Sequence, residues 1–458
     1  MAVFRMSVLA ICITFSMAAG ATEAGSSAHR TRSISGRVDR YVQPLVEMRD
    51  FSGVVLVARA GHVLVRRAYG LASQELRIAA TPGGVYGIGS VSKTFTAAAI
   101  ILLAEQGKLS LDDPVAKYLP DFRPDDKITI RQLLTHESGL QDYFNFPEYA
   151  AHRAEPIALD AFVALAGKKP LDFPPGTKSS YSGSGYKVLA YLVERISGEP
   201  YGSFVSRILF APLHMVHSGD LTDQALVDGL ASGYDPGFPP RRLQPAAYES
   251  RTWLQGNGSL YSTADDLYRW AEGTRSDAPV HWSRLKYPFG WGKRNRFGRD
   301  CIEQTGRIAI GYVTYLAIYP KDDVVIVVLS NIQAAVAEEM GIDLAAMVFG
   351  EHYDMPKRRP GASSVRRADA AELTSYAGRY DFGGGFGITV KAEKEGLRIA
   401  GPDGAFLVLD KDQPPVFFFR PLYVTITFER DATGHVIGLN WGGQMHARKV
   451  SLTGVAPE

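Results

Sequence analysis

Two pairs of β-rich segments, one early in the chain and one far downstream, most constrain how this chain can fold. Gly53–Ala60 and His62–Ala68 are rich in valine and leucine and are separated by a single glycine. Tyr312–Tyr319 and Val324–Leu329 repeat the pattern around a short turn that contains proline. Short turns between such segments are typical of antiparallel hairpins. The two hairpins, with the helical segment Ala334–Val348 after the second, predict one antiparallel sheet built from both ends of a domain.

The residues between the two hairpins have helical patterns. Thr94–Gln106 is mostly apolar, Ile130–Leu134 is short, and Tyr186–Ile196 is amphipathic. These segments predict a helical subdomain that faces the sheet. The expected fold class is therefore α+β, with an antiparallel sheet flanked by helices and an all-helical subdomain. A cleft between such layers is a common place for a small-molecule site.

The C-terminal region has a different pattern, with short β-type runs between turn residues. The runs are Tyr380, Ile388–Val390, Leu397–Ile399, Phe406–Leu409, Val416–Phe419, Val424–Phe428 and Val436–Leu439. Closely spaced strands of this kind indicate a small all-β barrel or sandwich. Since the chain has 458 residues and 46% of them are hydrophobic, it can form more than one core. We expect one domain over residues 36–355 and a second over residues 373–458.

The stretch between these two domains, residues 356–372, combines prolines, a glycine and serines with a cluster of basic residues. This composition predicts a solvated linker. The cluster comprises Lys357, Arg358, Arg359, Arg366 and Arg367. Elsewhere the basic residues are not concentrated, and the net charge of the whole chain is only +2. This distribution argues against nucleic acid as a partner.

The first 21 residues have the pattern of a secretory signal peptide. Arg5 gives a basic start, Ser7–Ala18 is an apolar stretch, and Ala19-Gly20-Ala21 is a small-residue cleavage site. The mature protein is therefore expected to be exported, periplasmic or secreted, and to have no stable membrane span; an uncleaved anchor is the alternative. Cleavage removes Cys12 and leaves Cys301 without a partner for an intramolecular disulfide. We expect Cys301 to be a buried, inert thiol.

A serine three residues before a lysine is the candidate catalytic feature of the sequence. In Ser90-Val91-Ser92-Lys93 both side chains would lie on one face at the start of an apolar helix. A neutral lysine could then accept the serine proton, and the N–H groups at the helix start would stabilise an oxyanion during acyl transfer. Ser184–Lys187 and Ser283–Lys286 have the same spacing. Tyr287-Pro288 disfavours a helix after Ser283, and Ser184 is interpreted as a helix-capping serine.

Around Ser90 the sequence resembles the serine β-lactamase and penicillin-binding protein superfamily, which includes related esterases and D-aminopeptidases. It is most similar to the class C-like branch, and the resemblance covers about residues 36–335. The motifs that carry it are Tyr86 to Ala97, Gly107 to Pro114, Ile130 to His136, Ser138-Gly139-Leu140, Pro175-Gly176-Thr177, Tyr181-Ser182-Gly183, Ser262 to Leu267 and Gln304-Thr305-Gly306. The resemblance implies a hydrolase that forms an acyl-enzyme and uses neither a metal nor a cofactor.

The resemblance also implies roles for individual residues. Ser90 matches the nucleophile, and Lys93 and Tyr181 match the groups that move its proton as one coupled system. The backbone N–H groups of Ser90 and Arg307 match the two donors of the oxyanion hole. The substrate-binding positions of the family are occupied by Gly183, Gln304, Thr305, Gly306 and Arg307.

Two of these positions depart from the family pattern. Gly183 replaces an asparagine whose amide binds the substrate amide or orients the lysine, and Gln304 replaces a lysine or histidine that meets a substrate carboxylate. Arg307 is a candidate replacement for that cation. The leading hypothesis is an exported enzyme that hydrolyses small-molecule esters or uncharged amides. The alternatives are a β-lactamase or D-Ala-type peptidase, and a non-catalytic envelope protein that binds or scaffolds.

The histidines do not indicate a metal site. His214 and His217 are spaced to share a helical face, but no third ligand accompanies them, and they are interpreted as surface residues. His136 is interpreted as structural, because the serine and lysine chemistry needs no histidine base. We therefore predict neither a metal ion nor a cofactor.

Overall fold

The computed structural model describes most of the chain. The described residues are 34–120, 122, 127–236, 242–276, 278, 289–334, 336–356, 370–383, 386–393, 396–400, 406–409, 416–419, 424–442 and 445–450. The predicted signal peptide, the tetrapeptide that starts at Ser283 and most of the predicted linker lie outside these residues. Within the described ranges, no helix combines the length and the apolar composition that a membrane span requires.

The secondary-structure elements of the described residues are numbered here in chain order. The strands are β1 (Gly53–Arg59), β2 (His62–Tyr69), β3 (Leu71–Ser73), β4 (Ile78–Ala79), β5 (Tyr86–Gly87), β6 (Gly219–Asp220), β7 (Tyr234–Pro236), β8 (Leu243–Pro245), β9 (Leu260–Ser262), β10 (Gly292–Arg296), β11 (Arg299–Ile308), β12 (Tyr312–Tyr319), β13 (Val324–Ser330), β14 (Gly378–Gly383), β15 (Phe386–Glu393), β16 (Gly396–Ala400), β17 (Phe406–Leu409), β18 (Val416–Phe419), β19 (Val424–Arg430), β20 (Val436–Trp441) and β21 (Met445–Val450). The helices are α1 (34–47), α2 (Ser92–Glu105), α3 (Ile130–Leu134), α4 (Pro147–His152), α5 (Leu159–Ala166), α6 (Gly183–Ser197), α7 (Tyr201–Val205), α8 (Ala264–Arg275), α9 (Val336–Phe349) and α10 (Ala370–Tyr376).

The largest sheet joins the two hairpins. It contains six antiparallel strands in the order β10, β11, β12, β13, β1 and β2. In β1, Val55 pairs with Val328 of β13 on one side and with Arg67 of β2 on the other. The early and late parts of the chain therefore meet in the middle of one sheet, as the hairpin patterns predict.

Both faces of this sheet are covered, which explains the long apolar runs in its central strands. Val54 and Leu56 point to the face that carries α2 and the helical subdomain. Val55 and Val57 point to the opposite face, where they pack with residues of α1 and α9. Because alternate residues of a strand point to opposite faces, one strand serves two cores. The sheet is thereby a fixed support for the turn that precedes α2.

The helical subdomain contains the segments that the sequence patterns predict as helices. α3 has the predicted bounds, Ile130–Leu134, and begins with a capping box formed by Thr129 and Gln132. α2 is buried on nearly all sides, as expected for a helix that is apolar all round. α6 begins before its predicted start at Tyr186, because Ser182 caps the helix and accepts a hydrogen bond from the Gly185 N–H.

The C-terminal strands β14 to β21 form a closed antiparallel barrel in chain order. Of the two predicted architectures, barrel or sandwich, the barrel is therefore the one found. Its core includes Tyr380, Leu397, Phe417 and Ile426. The sequence pattern does not predict β21, because Ala447 is the one residue of this strand that is buried and the strand has no apolar run.

Candidate active site

Ser90 lies in a short 3-10 turn, Gly89–Val91, directly before α2. Gly89 has φ +52°, a left-handed conformation that side chains other than glycine rarely adopt. A Cβ atom at this position would also lie 2.6 Å from the backbone nitrogen of Arg307 in β11. Glycine at this position therefore allows the turn that carries Ser90 to contact the sheet.

Lys93 lies in the first turn of α2, and its side chain is buried. Its Nζ donates to Ser90 Oγ at 3.1 Å and to the backbone oxygen of Asn257 at 2.8 Å. The same nitrogen is 4.9 Å from the centre of the Tyr181 ring. A buried amine needs such partners, because taking it out of water without them is costly. The amino group is thus fixed against the serine hydroxyl.

Tyr181 approaches Ser90 from the other side. Its hydroxyl is 2.8 Å from Ser90 Oγ, and either oxygen can be the donor. Tyr181 directly precedes Ser182, the capping residue of α6. The start of this helix therefore determines where the phenol lies, and the structure brings Ser90, Lys93 and Tyr181 together around one hydroxyl oxygen.

The His136 ring packs against the Tyr181 ring. Its ring centre is 4.8 Å from that of Tyr181 and 5.2 Å from that of Tyr186, and its Nδ1 accepts the Ser182 N–H at 3.2 Å. Burial, with the nearby charge of Lys93, lowers the pKa of His136 to about 4. The imidazole is therefore neutral at pH 7, which keeps Nδ1 available as an acceptor. This agrees with the interpretation of His136 as structural.

Strand β11 brings the Gly306 backbone and the Gln304 side chain to the Ser90 turn. A Cβ atom on Gly306 would overlap the Ile88 carbonyl oxygen and lie 3.2 Å from the Ser90 nitrogen. The Gln304 side chain donates from Nε2 to the Ser90 carbonyl oxygen at 3.2 Å. The backbone nitrogens of Ser90 and Arg307 thus lie on either side of the contact between the Ser90 turn and β11. Two N–H groups that bind one oxyanion have to lie close together in this way.

A cleft of about 470 Å³ opens beside Ser90. This volume suits a small molecule. Of the residues predicted for the site, the cleft is lined by Ser90, Tyr181, Gln304, Thr305 and Arg307. Lys93, Gly183 and Gly306 are buried and do not line it.

The family model for Beta-lactamase matches residues 38–348, which include the sheet, its helices and this cleft. The chain belongs to the beta-lactamase family. The family comprises serine hydrolases, and a protein named as an esterase is among the relatives of this chain. Penicillin-binding protein 4* of Bacillus subtilis (strain 168) is 30% identical over 419 residues, which are 84% of this chain and 92% of that protein. Esterase EstB of Burkholderia gladioli is 30% identical over 284 residues, 54% of this chain and 71% of that protein.

Solved structures show the same fold. The octameric penicillin-binding protein homologue from Pyrococcus abyssi matches with a TM-score of 0.61 at 21% identity, over 90% of this chain and 99% of that one. The D-amino acid amidase from Ochrobactrum anthropi SV3 matches with a TM-score of 0.60 at 18% identity, over 70% of this chain and 99% of the amidase chain. At these identities the similarity is one of fold.

Within this family fold, Gly183 is explained by its neighbour Tyr143. A Cβ atom at position 183 would lie 2.9 Å from Cε1 of the Tyr143 ring, which is fully buried. The Gly183 N–H donates to the Asp142 carboxylate, and burial raises the pKa of this carboxyl group. The space that an asparagine side chain at position 183 would use is therefore filled by Tyr143 and Asp142. A steric constraint therefore accounts for the glycine at this position.

Asn257 is a site residue that the sequence analysis missed. Its backbone oxygen accepts from Lys93, and the residue also lines the cleft. Its Oδ1 is 3.4 Å from the Tyr143 hydroxyl, and its Nδ2 donates to the Trp253 carbonyl at 3.3 Å. Asn257 thus lines the cleft while its side-chain amide is held by Tyr143 and Trp253. The Gly256-Asn257-Gly258 run just before the Ser262 motif is the sequence signal that could have indicated it.

The second tetrapeptide with a serine three residues before a lysine, Ser184–Lys187, has an environment that differs from that of Ser90 and Lys93. Ser184 lies inside α6, fully buried, and its hydroxyl has no hydrogen-bond partner among the described residues. Its interpretation as a capping serine is wrong, because Ser182 caps the helix. Lys187 is also buried and donates to the Thr252 carbonyl at 2.7 Å, and burial lowers its pKa to about 7. Lys187 therefore anchors the loop that leads to Asn257.

The remaining candidates from the sequence, Cys301, His214 and His217, do not line the cleft at Ser90. Cys301 is buried, and burial, followed by the charge of Glu303, raises the pKa of its thiol to about 12, as expected for an inert thiol. His214 and His217 are exposed, but they lie in turns, so the helical face expected from their spacing is not formed. Among the described residues, no three His, Cys, Asp or Glu side chains cluster as a metal site would require.

Gly183→Ala should destabilise the protein by about 1–3 kcal/mol, because the new methyl group overlaps the buried Tyr143 ring. The matched control is Gly185→Ala in the same helix, where the nearest atom to the added Cβ is an ordinary 3.6 Å away. The control should be neutral or more stable by up to about 1 kcal/mol, because alanine favours helix. Urea unfolding of both variants measures the difference. Equal losses in the two variants would contradict the steric explanation.

His136→Asn should reduce the acid sensitivity of the fold. The folded-state pKa of His136 is about 4, below its ordinary 6.5, so the unfolded chain binds more protons between these values. The free energy of unfolding of the parent should fall as the pH drops through this window, by up to about 3 kcal/mol from this group. Asparagine can keep the acceptor for Ser182 and tolerates the φ of +61°.

Urea unfolding between pH 4 and pH 7 tests this prediction, with exposed His152→Asn as the control. The difference between parent and His136→Asn should depend on pH across the window. The His152 variant should follow the parent. Parallel pH profiles for all three proteins would show that His136 is not the group responsible.

Proposed function

We propose that the protein is an exported serine hydrolase that forms an acyl-enzyme on Ser90 and acts on esters or uncharged amides. The observation that carries the proposal is the pair of contacts at Ser90 Oγ, one from Lys93 Nζ at 3.1 Å and one with Tyr181 OH at 2.8 Å, beside the cleft. Residues 36–355 would form the hydrolase domain and residues 373–458 the appended barrel domain. The signal pattern of residues 1–21 supports export.

Acylation begins when Ser90 Oγ attacks the carbonyl carbon of the substrate. The serine proton passes to the coupled pair of Lys93 and Tyr181, both of which contact Oγ. The carbonyl oxygen becomes an oxyanion that the N–H groups of Ser90 and Arg307 stabilise. As the tetrahedral intermediate collapses, the bond to the leaving group breaks. The leaving alkoxide or amine takes a proton from the Tyr181 and Lys93 pair.

Deacylation repeats these steps with water as the nucleophile. Lys93 and Tyr181, now without the serine proton, accept a proton from water as it attacks the acyl carbon. The second tetrahedral intermediate uses the same two backbone donors. Its collapse breaks the bond to Ser90 Oγ, which regains its proton, and the acid is released.

The lining of the cleft supports the substrate class. Gln304, where the family has a cation for a substrate carboxylate, is neutral and donates to the Ser90 carbonyl. The similarity to Esterase EstB of Burkholderia gladioli agrees with ester substrates. A second candidate, acylation by β-lactams or D-Ala peptides with Arg307 binding the carboxylate, is favoured by the position of Arg307 in the cleft and by the similarity to Penicillin-binding protein 4* of Bacillus subtilis.

Ser90→Ala should lower kcat/KM for p-nitrophenyl butyrate by at least about 1000-fold, because the covalent intermediate is lost. Tyr181→Phe should lower kcat by about 100- to 10,000-fold, the range for loss of an acid–base group. Ser184→Ala is the control, since Ser184 has the same spacing to a lysine but is buried away from the cleft.

A fluorophosphonate probe should label Ser90, as mapped by peptide mass spectrometry. An unchanged rate in Ser90→Ala would refute the proposed mechanism.

The same proteins distinguish the two substrate classes. A fluorescent penicillin should label Ser90 slowly or not at all if esters and uncharged amides are preferred. Rapid, stoichiometric labelling would favour the second candidate.

A further inference from the structure

A carboxylate of the protein itself lies in the part of the cleft that faces β11. Glu338, in the first turn of α9, lines the cleft. Its Oε2 accepts a hydrogen bond from Thr305 Oγ1 at 3.0 Å. The side chain of Glu338 is still 45% exposed, so its charge faces the cleft solvent. Any acyl group that extends along β11 therefore meets a negative charge.

The hydrogen bond to Glu338 also occupies the hydroxyl hydrogen that Thr305 could otherwise donate to a substrate. A threonine hydroxyl has one hydrogen to donate, and this hydrogen is directed to Glu338. A substrate carboxylate at this place would find only the lone pairs of the hydroxyl oxygen. The substrate carboxylate would therefore have no hydrogen bond from Thr305 and would be repelled by Glu338.

Two neighbouring cations, Arg294 and Arg296, are directed mainly to a different carboxylate, that of Glu303. Arg296 Nη2 is 2.7 Å from Glu303 Oε1 and 3.5 Å from Glu338 Oε1. Arg294 Nε is 3.5 Å from Glu303 Oε1. The Tyr315 hydroxyl donates to the other oxygen of Glu303 at 2.7 Å. Glu303 is therefore the better neutralised of the two carboxylates, and Glu338 keeps more of its charge toward the cleft.

We infer that Glu338 is a specificity-determining residue, which excludes acyl groups that end in a carboxylate and admits acyl groups that end in a neutral or cationic group. Discrimination of this kind arises from repulsion of the wrong substrate as much as from attraction of the right one. The inference rests on the proposed function, because it concerns the substrates of the same Ser90 cleft. It also opposes a role for Arg307 as the receptor of a substrate carboxylate.

Three p-nitrophenyl esters with one leaving group and similar acyl length test the inference. They are the pentanoate, the glutarate monoester and the 4-trimethylammoniobutyrate. The parent enzyme should hydrolyse the glutarate monoester with a kcat/KM at least about tenfold below those of the other two, since one charge repulsion at this range is worth about a factor of ten. Glu338→Ala should raise the ratio of kcat/KM for the glutarate monoester to kcat/KM for the pentanoate by about tenfold.

The matched control is Glu339→Ala, which removes an equal charge from the next residue of α9. Glu339 is exposed and does not line the cleft, so the ratio between the three esters should stay at the parent value. Adding Thr305→Val to Glu338→Ala should cancel only part of the gain for the glutarate monoester, because the released hydroxyl donor is then absent while the repulsion by Glu338 is still removed.

The outcomes separate this inference from the proposed function. If the parent prefers the glutarate monoester, or if the Glu338 and Glu339 variants change the ester ratio equally, the inference is wrong while the loss of activity in Ser90→Ala still supports the mechanism. If Ser90→Ala hydrolyses the esters as fast as the parent, the proposed function is wrong and the inference fails with it. A rise specific to the glutarate monoester in Glu338→Ala supports both.

Discussion

The buried amino group of Lys93 determines how the elements around the cleft have to meet. An amine removed from water needs hydrogen-bond acceptors, and an unpaired one would cost several kcal/mol. Ser90 Oγ provides one acceptor from the preceding turn, and the Asn257 carbonyl provides the other from a distant part of the chain. The loop that carries Asn257 is in turn held by the buried Lys187 through the Thr252 carbonyl. The contact between Lys93 and Ser90 Oγ thus depends on packing at some distance from it.

Close backbone contacts complete the arrangement, and glycines make them possible. Gly89 and Gly306 allow the Ser90 turn and β11 to lie so close together that a Cβ atom at either position would collide with the other segment. Gly183 lets the start of α6 pack on the Tyr143 ring. These positions are spread over the chain, but each serves the contact of Ser90 with a partner. A glycine that departs from the family pattern can therefore reflect a different solution to the same packing problem.

The sequence predicts best what depends on local patterns. Valine-rich hairpins, the buried α2 and the i to i+3 spacing of Ser90 and Lys93 are local, and the structure contains the predicted elements and brings these two side chains into contact. Asn257 was missed because its contact with Lys93 is made by a backbone carbonyl, which the Gly-Asn-Gly run around it does not by itself specify. Glu338 was missed because β11, the strand that carries its partner Thr305, was not predicted from the sequence pattern. The cap of α6 was assigned to Ser184 instead of Ser182, since two nearby serines fit the same local rule.

The order of strands in the large sheet has a consequence for the newly made chain. β1 pairs with the next strand, β2, but its other partner is the distant β13, and Arg307, the proposed oxyanion donor, follows only in β11. Contacts so distant in sequence form late in folding, because long loops have to close first. A partly synthesised chain would contain Ser90, Lys93 and Tyr181 but lack β11, which carries the second proposed oxyanion donor. Under the proposed mechanism, hydrolytic competence therefore requires that nearly the whole domain has been made.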